Sequence, residues 1–132
     1  MAPMFIRFIC GDIDVDSHVA AGLFHAAYKL RYEYDLPEYE LDRLLDLLGW
    51  FNLNLSSPFE FRLRKYWRRR RAICWFKTSA YEHLTKAREM AALLEINGIY
   101  IRTIKSERIG YRLYEDDVQV FAQPFTDMRL KF

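Results

Sequence analysis

Two groups of residues in this chain could do chemistry. The first is a ten-residue stretch, RLRKYWRRRR, in which Arg62, Arg64, Lys65, Arg68, Arg69, Arg70 and Arg71 give seven positive charges and no negative one. Guanidinium groups bind phosphates, and Tyr66 and Trp67 among them could stack on unpaired bases. Such a stretch would bind nucleic acid or another polyanion with strong salt dependence and little sequence preference. The plainer alternative is a solvated loop, or guanidiniums paired with the chain's own acids, such as Asp12, Asp14 and Asp16. The second group is Lys77, His83, Glu115, Asp116 and Gln119, read as lying at strand ends and a helix start, where α/β enzymes place reactive groups. A lysine beside a carboxylate could serve acid–base chemistry. The plainer alternative is a surface lysine and acids that belong to a hairpin turn.

The motifs that would raise catalysis above this are missing. There is no glycine-rich phosphate loop, no nucleophile elbow, no H-E-x-x-H and no Cys-x-x-Cys. No catalytic residue and no cofactor is assigned. Asp12, Asp14 and Asp16 have calcium-like spacing, but an EF-hand loop counted from Asp12 needs glycine at its sixth position and glutamate at its twelfth, where Ser17 and Leu23 stand. The acids instead suit a helix entry capped by Asp16 or Ser17. His18 and His25 are too far apart for a helical metal pair. Cys10 and Cys74 read as two buried free thiols. No metal site is expected.

The element that must position these groups is AICWFKTSAYEHLTKAREMAALLEING, Ala72 to Gly98. Ile73, Trp75 and Phe76 make a short aromatic and β-branched strand. Ser79 and Glu82 form an S-x-x-E capping box. Leu84, Ala87, Met90, Ala91 and Leu94 recur at helical spacing, and Asn97-Gly98 stops the helix. A strand from Ile99 to about Lys105 follows. Strand, helix, strand at these lengths predicts a βαβ unit, two adjacent parallel strands with a right-handed crossover.

Around this unit, Met4 to Cys10 reads as a strand apolar on both faces except at Arg7, so it belongs inside a sheet. Ser17 to about Tyr34 and a second helix beyond Pro37, with Leu41, Leu44, Leu45, Leu48 and Phe51 on one side, form an N-terminal helix pair. Phe59 to Arg64 alternates like an edge strand or extended arm. Tyr111 to Ala122 reads as a hairpin turning at Glu115-Asp116-Asp117, with Pro124 ending the ladder. The whole is one α+β domain over 1–132: a two-layer sandwich, with a mixed sheet of four to five strands, a central βαβ unit and an N-terminal helix pair.

The chain has 132 residues, 52% hydrophobic and 17% aromatic, which fits a packed domain and not a disordered one. Some aromatics, among Trp50, Phe51, Tyr66, Trp67 and Tyr114, could serve a protein contact or homodimer. No run is long and apolar enough for a spanning helix, and no leader pattern opens the chain, so a cytoplasmic protein without membrane partners is expected. Net charge is +2, so the chain outside the basic stretch is acidic.

MFIRF, GLFHAAYKL, WFNLNL, AICWFK, EHL, LLEINGI and GYRLYEDDVQVFAQPF together resemble a family of small bacterial proteins of unknown function. In that family a strand and helix pair precede an AICWFK-like strand and a closing GY-x-x-YED-x-x-QV-x-A-x-P hairpin. The likeness spans nearly the whole chain. It implies a bacterial, cytoplasmic, stand-alone domain and no particular activity. The reading that follows is a non-enzymatic binding or adaptor domain for a protein or nucleic-acid partner, with residues 62–71 as the contact. The alternative is a small enzyme or nucleotide binder using Lys77, His83, Glu115 and Gln119.

Overall fold

Phe5, Ile6, Phe8 and Ile9 alternate across one strand and are all buried, so both faces of that strand are shielded from water. A strand of this kind is stable only inside a sheet. The computed structural model describes residues 3–13, 20–56 and 73–125 and places this strand at the centre. Among the described residues the order is β1 Phe5–Ile13, β2 Ala20–Gly22, α1 Leu23–Glu33, α2 Glu38–Asn54, β3 Ile73–Lys77, α3 Tyr81–Ile96, β4 Arg102–Ser106, β5 Tyr111–Glu115 and β6 Gln119–Gln123. The fold is an α+β sandwich with a six-stranded sheet running β2-β1-β3-β6-β5, and with β4 also on β1.

Every ladder in the sheet is antiparallel. The expected mixed sheet with an adjacent parallel pair is therefore corrected in one respect. β3 and β4 do run the same way, because each is antiparallel to β1, but β1 lies between them. Phe5 and Ile6 pair with Lys77 and Phe76 on one side and with Ser106 and Lys105 on the other. The geometry favours this insertion. Two strand spacings come to ~9.6 Å, about the width of one helix, so α3 can cross the gap while β1 fills it.

The three helices pack on one face. Leu23, Ala26, Ala27 and Leu30 of α1, Leu44, Leu47, Leu48 and Phe51 of α2, and Leu84, Ala87, Met90, Leu93 and Leu94 of α3 join Ile6, Phe8, Cys10 and Phe76 of the sheet in one core. Asn97 of α3 donates to Glu40 at the start of α2, and His83 contacts Asn54 at its end, so α2 and α3 are antiparallel. The opposite sheet face carries a second cluster, Phe5, Ile73, Trp75, Ile109, Val120 and Ala122. Trp75 has no exposed surface.

Two helix starts differ from expectation. α1 begins at Leu23 and not at Ser17, because β1 continues past Gly11 to Ile13 and its far half pairs with Ala20–Gly22. Gly22, and not Asp16 or Ser17, is the N-cap. α3 has Ala80 as N-cap with no side-chain cap. The capping box at Ser79 is not formed because the turn closes through backbone carbonyls: Ala80 N–H donates to Lys77 and Tyr81 N–H to Ser79. The stop at Gly98 is as expected. Its φ is +84°, and Gly98 and Ile99 N–H groups donate to Glu95 and Leu94 carbonyls at 3.0 and 2.9 Å, the paired bonds of a Schellman closure. No helix among the described residues is long and apolar enough to cross a membrane.

Gly110, just before β5, has φ +114°, and a Cβ there would run into the Gln123 carbonyl. Glycine is required twice over, by dihedral and by space. Gly110→Ala is expected to lower stability by about 2–4 kcal/mol, read from urea midpoints at constant slope; a change below ~0.5 kcal/mol would show that the β5–β6 approach is not built as described.

Candidate functional site

Sheet alternation decides which candidate residues meet. Lys77 pairs with Phe5 and lies two residues beyond Trp75, so it projects from the face away from the helices. Glu115 pairs with Val120, and Arg112 with Ala122, which puts both on that same face. There Lys77 Nζ sits 2.7 Å from Glu115 Oε2, and Arg112 donates to Glu115 Oε1 at 2.9 Å. The Arg112 guanidinium also lies over the Phe5 ring, 5.0 Å from its centroid, a cation–π arrangement that roofs the second cluster. The Lys77 hydrogen bond, then that of Arg112, hold the Glu115 carboxyl below the usual glutamate range. Both carboxylate oxygens are thus occupied by cations from this chain.

Gln119 is on the other face, 1% exposed. Its Nε2 donates to the Ser56 carbonyl at 2.7 Å and to Asp116 Oδ2 at 3.1 Å, while its Oε1 accepts from the Cys74 thiol at 3.2 Å. A buried amide is tolerated only when its donors and acceptor are met in this way. Asp116, read from sequence as a member of the candidate group or, more plainly, as a turn acid, is the hub. It accepts from Val118 N–H, Gln119 N–H, Tyr114 Oη and Gln119 Nε2. Burial is the largest single influence and pushes its carboxyl up, but the Val118, Gln119 and Tyr114 donors outweigh it and leave it below the usual aspartate range. An aspartate opening a hairpin turn was the available signal. Tyr114 and Cys74 joining it could not be read without the register.

His83 belongs to neither group. It stands in the first turn of α3, 4.7 Å from the Trp50 ring centre, with Nε2 2.7 Å from the Asn54 carbonyl. The expected four-residue constellation of Lys77, His83, Glu115 and Gln119 is therefore divided: Lys77 and Glu115 meet, whereas Gln119 and His83 lie on the helix side and fasten the end of α2. Arg62, Arg64, Lys65, Tyr66, Trp67 and Arg68–Arg71, like Asp14, Asp16 and His18, lie outside the described residues. Of the aromatics expected at a partner surface, Phe51 is core, and Trp50 and Tyr114 are partly buried. Among the described residues the exposed aromatics are tyrosines, including Tyr32, Tyr39 and Tyr81.

Desolvation pushes the Cys74 thiol up to about 12, with Asp116 adding to the rise and Arg7 opposing it. In this setting the thiol serves as a hydrogen-bond donor to Gln119. Among the described residues no group of three or more His, Cys, Asp or Glu is arranged to hold a metal ion. Comparisons with protein-family models, with curated proteins and with solved structures find no match for this chain.

Glu115 and Asp116 both bind protons less readily folded than unfolded. Their stabilisation is present above the unfolded carboxylate range near ~4 and is lost as pH falls through the lower folded values. Asp116→Asn is expected to cost about 1–3 kcal/mol at pH 7 and to flatten the fall in melting temperature between ~pH 5 and 2. Glu115→Gln should do the same more weakly, because its ion pairs are partly solvated. An unchanged acid slope in Asp116→Asn would refute the hub. Cys74 should react with iodoacetamide at pH 8 at least about tenfold more slowly in the folded protein than in denaturant, checked by peptide mass mapping. Equal rates would show an accessible thiolate.

Proposed function

We propose that this chain is a non-enzymatic binding or adaptor domain, with Arg62 to Arg71 as its contact with a polyanionic partner, nucleic acid first among them. The observation that carries this reading is the closure of Lys77 and Arg112 onto one carboxylate, Glu115. The acid–base pair that the enzyme reading needs is engaged on both oxygens. The charge not matched within its own stretch is in the seven cations of 62–71, with Tyr66 and Trp67 among them for stacking. The likeness to small bacterial proteins supports placing the domain in a bacterial cytoplasm as a stand-alone unit.

The alternative, an enzyme or nucleotide binder using Lys77 and Glu115, is supported by their 2.7 Å approach at a partly exposed position. It requires a ligand that displaces Arg112 from Glu115.

Gel-shift titration with a short single-stranded oligonucleotide at 50 and 200 mM salt tests the first reading. Affinity is expected to fall by about 10²- to 10³-fold across that range, as for about five to seven phosphate contacts on a single strand, and Arg68–Arg71→Ala should weaken binding at the lower salt at least about tenfold. Binding that is absent at both salts, or indifferent to the four alanines, would overturn it.

A further inference from the structure

The outward side of α2 has an unusual composition for a solvated helix. Glu38, Asp42 and Asp46 recur every four residues, so their carboxylates form a line at about 6 Å intervals. Leu45 and Leu53 flank that line, 37% and 87% exposed, and Tyr39 beside it is 75% exposed. At Gly49, between them, an added Cβ would meet nothing within 4 Å. None of the three acids forms an ion pair or side-chain hydrogen bond with a described residue, and none is among the residues holding other contacts. The only cation of the first two turns, Arg43, is turned toward Glu89 of α3. Like charges at i, i+4 and i+8 repel, and the exposed leucines lie beside them, so this face suits a partner that brings both cations and apolar stems.

We propose that this face docks the Arg62–Arg71 stretch of a second copy of the chain. Charge complementarity selects the occupant: three aligned, unneutralised carboxylates, with Glu33 and Asp35 close in sequence, repel a phosphate backbone and attract guanidiniums. Leu45, Leu53 and Tyr39 supply apolar surface for the arginine stems and for Tyr66 or Trp67. Because donor and acceptor surfaces differ, the association is head-to-tail and grows with concentration. It uses the same stretch as the nucleic-acid reading but does not depend on it, since an acidic helix is the ligand here.

The test is sedimentation velocity of the full chain at 50 and 500 mM salt over a hundredfold range of concentration. The wild type should self-associate at low salt and return to monomer at high salt. Glu38→Gln/Asp42→Asn/Asp46→Asn, all on an exposed helix face, and Arg68–Arg71→Ala should each be monomeric. Mixing the two variants should restore a one-to-one dimer, because one supplies the basic stretch and the other the acidic face. A wild type that is monomeric throughout at 50 mM salt, association that survives in the acid-to-amide variant, or a mixture that stays monomeric would each overturn the proposal. Gel shift by the acid-to-amide variant, which keeps all seven cations, reads the nucleic-acid proposal separately.

Discussion

The structure depends on one strand being buried from both sides. β1 pairs with β2, β3 and β4, and its side chains enter both cores: Ile6, Phe8 and Cys10 under the helices, Phe5 in the opposite cluster. Burying each large apolar side chain contributes about 1.5–3 kcal/mol, and Phe5, Ile6, Phe8 and Ile9 are all buried. β3 and β4, on either side of it at Phe5 and Ile6, both run antiparallel to it and therefore parallel to each other. α3 then has a fixed span to cross, and α1 and α2 have a fixed face to cover.

The polar groups follow from the same constraint. A sheet with a core on each side leaves few places for charge, and the two polar assemblies occupy its rim on opposite faces. Lys77, Arg112 and Glu115 form a partly solvated ion cluster over Phe5. Asp116, Gln119, Cys74 and Tyr114 form a partly buried hydrogen-bonded set tied to Ser56 beyond α2. For Asp116, desolvation and hydrogen bonding oppose each other, and four donors on one carboxylate decide the outcome. That arrangement fixes the β5–β6 turn and holds the exit of α2 against the sheet.

Much of the fold was legible in the chain. Helical periodicity located α2 and α3, Asn97-Gly98 marked a true stop, and alternation with turn acids located the β5–β6 hairpin. Three features were not legible. The Ser17 cap was outcompeted by pairing of Ala20–Gly22 with the far half of β1. Leu45, read as core, faces solvent while Leu47 is buried, because leucines surround α2 too evenly for composition to select the inner side. The division of Lys77 and Glu115 from His83 and Gln119 needed the strand register, since a shift of one residue exchanges the faces.

By itself the sequence determined most of the elements, the apolar character of β1, the helix stop at Gly98 and the concentration of positive charge at 62–71. These are local properties, set by side-chain volume, periodicity and backbone freedom. Only the tertiary structure decided that β1 stands between β3 and β4, that Glu115 is held by two cations, and that Gln119 is buried against Cys74 and Ser56. Each of those joins residues tens of positions apart, and no local preference encodes which distant strand will satisfy a given row of backbone N–H and C=O groups.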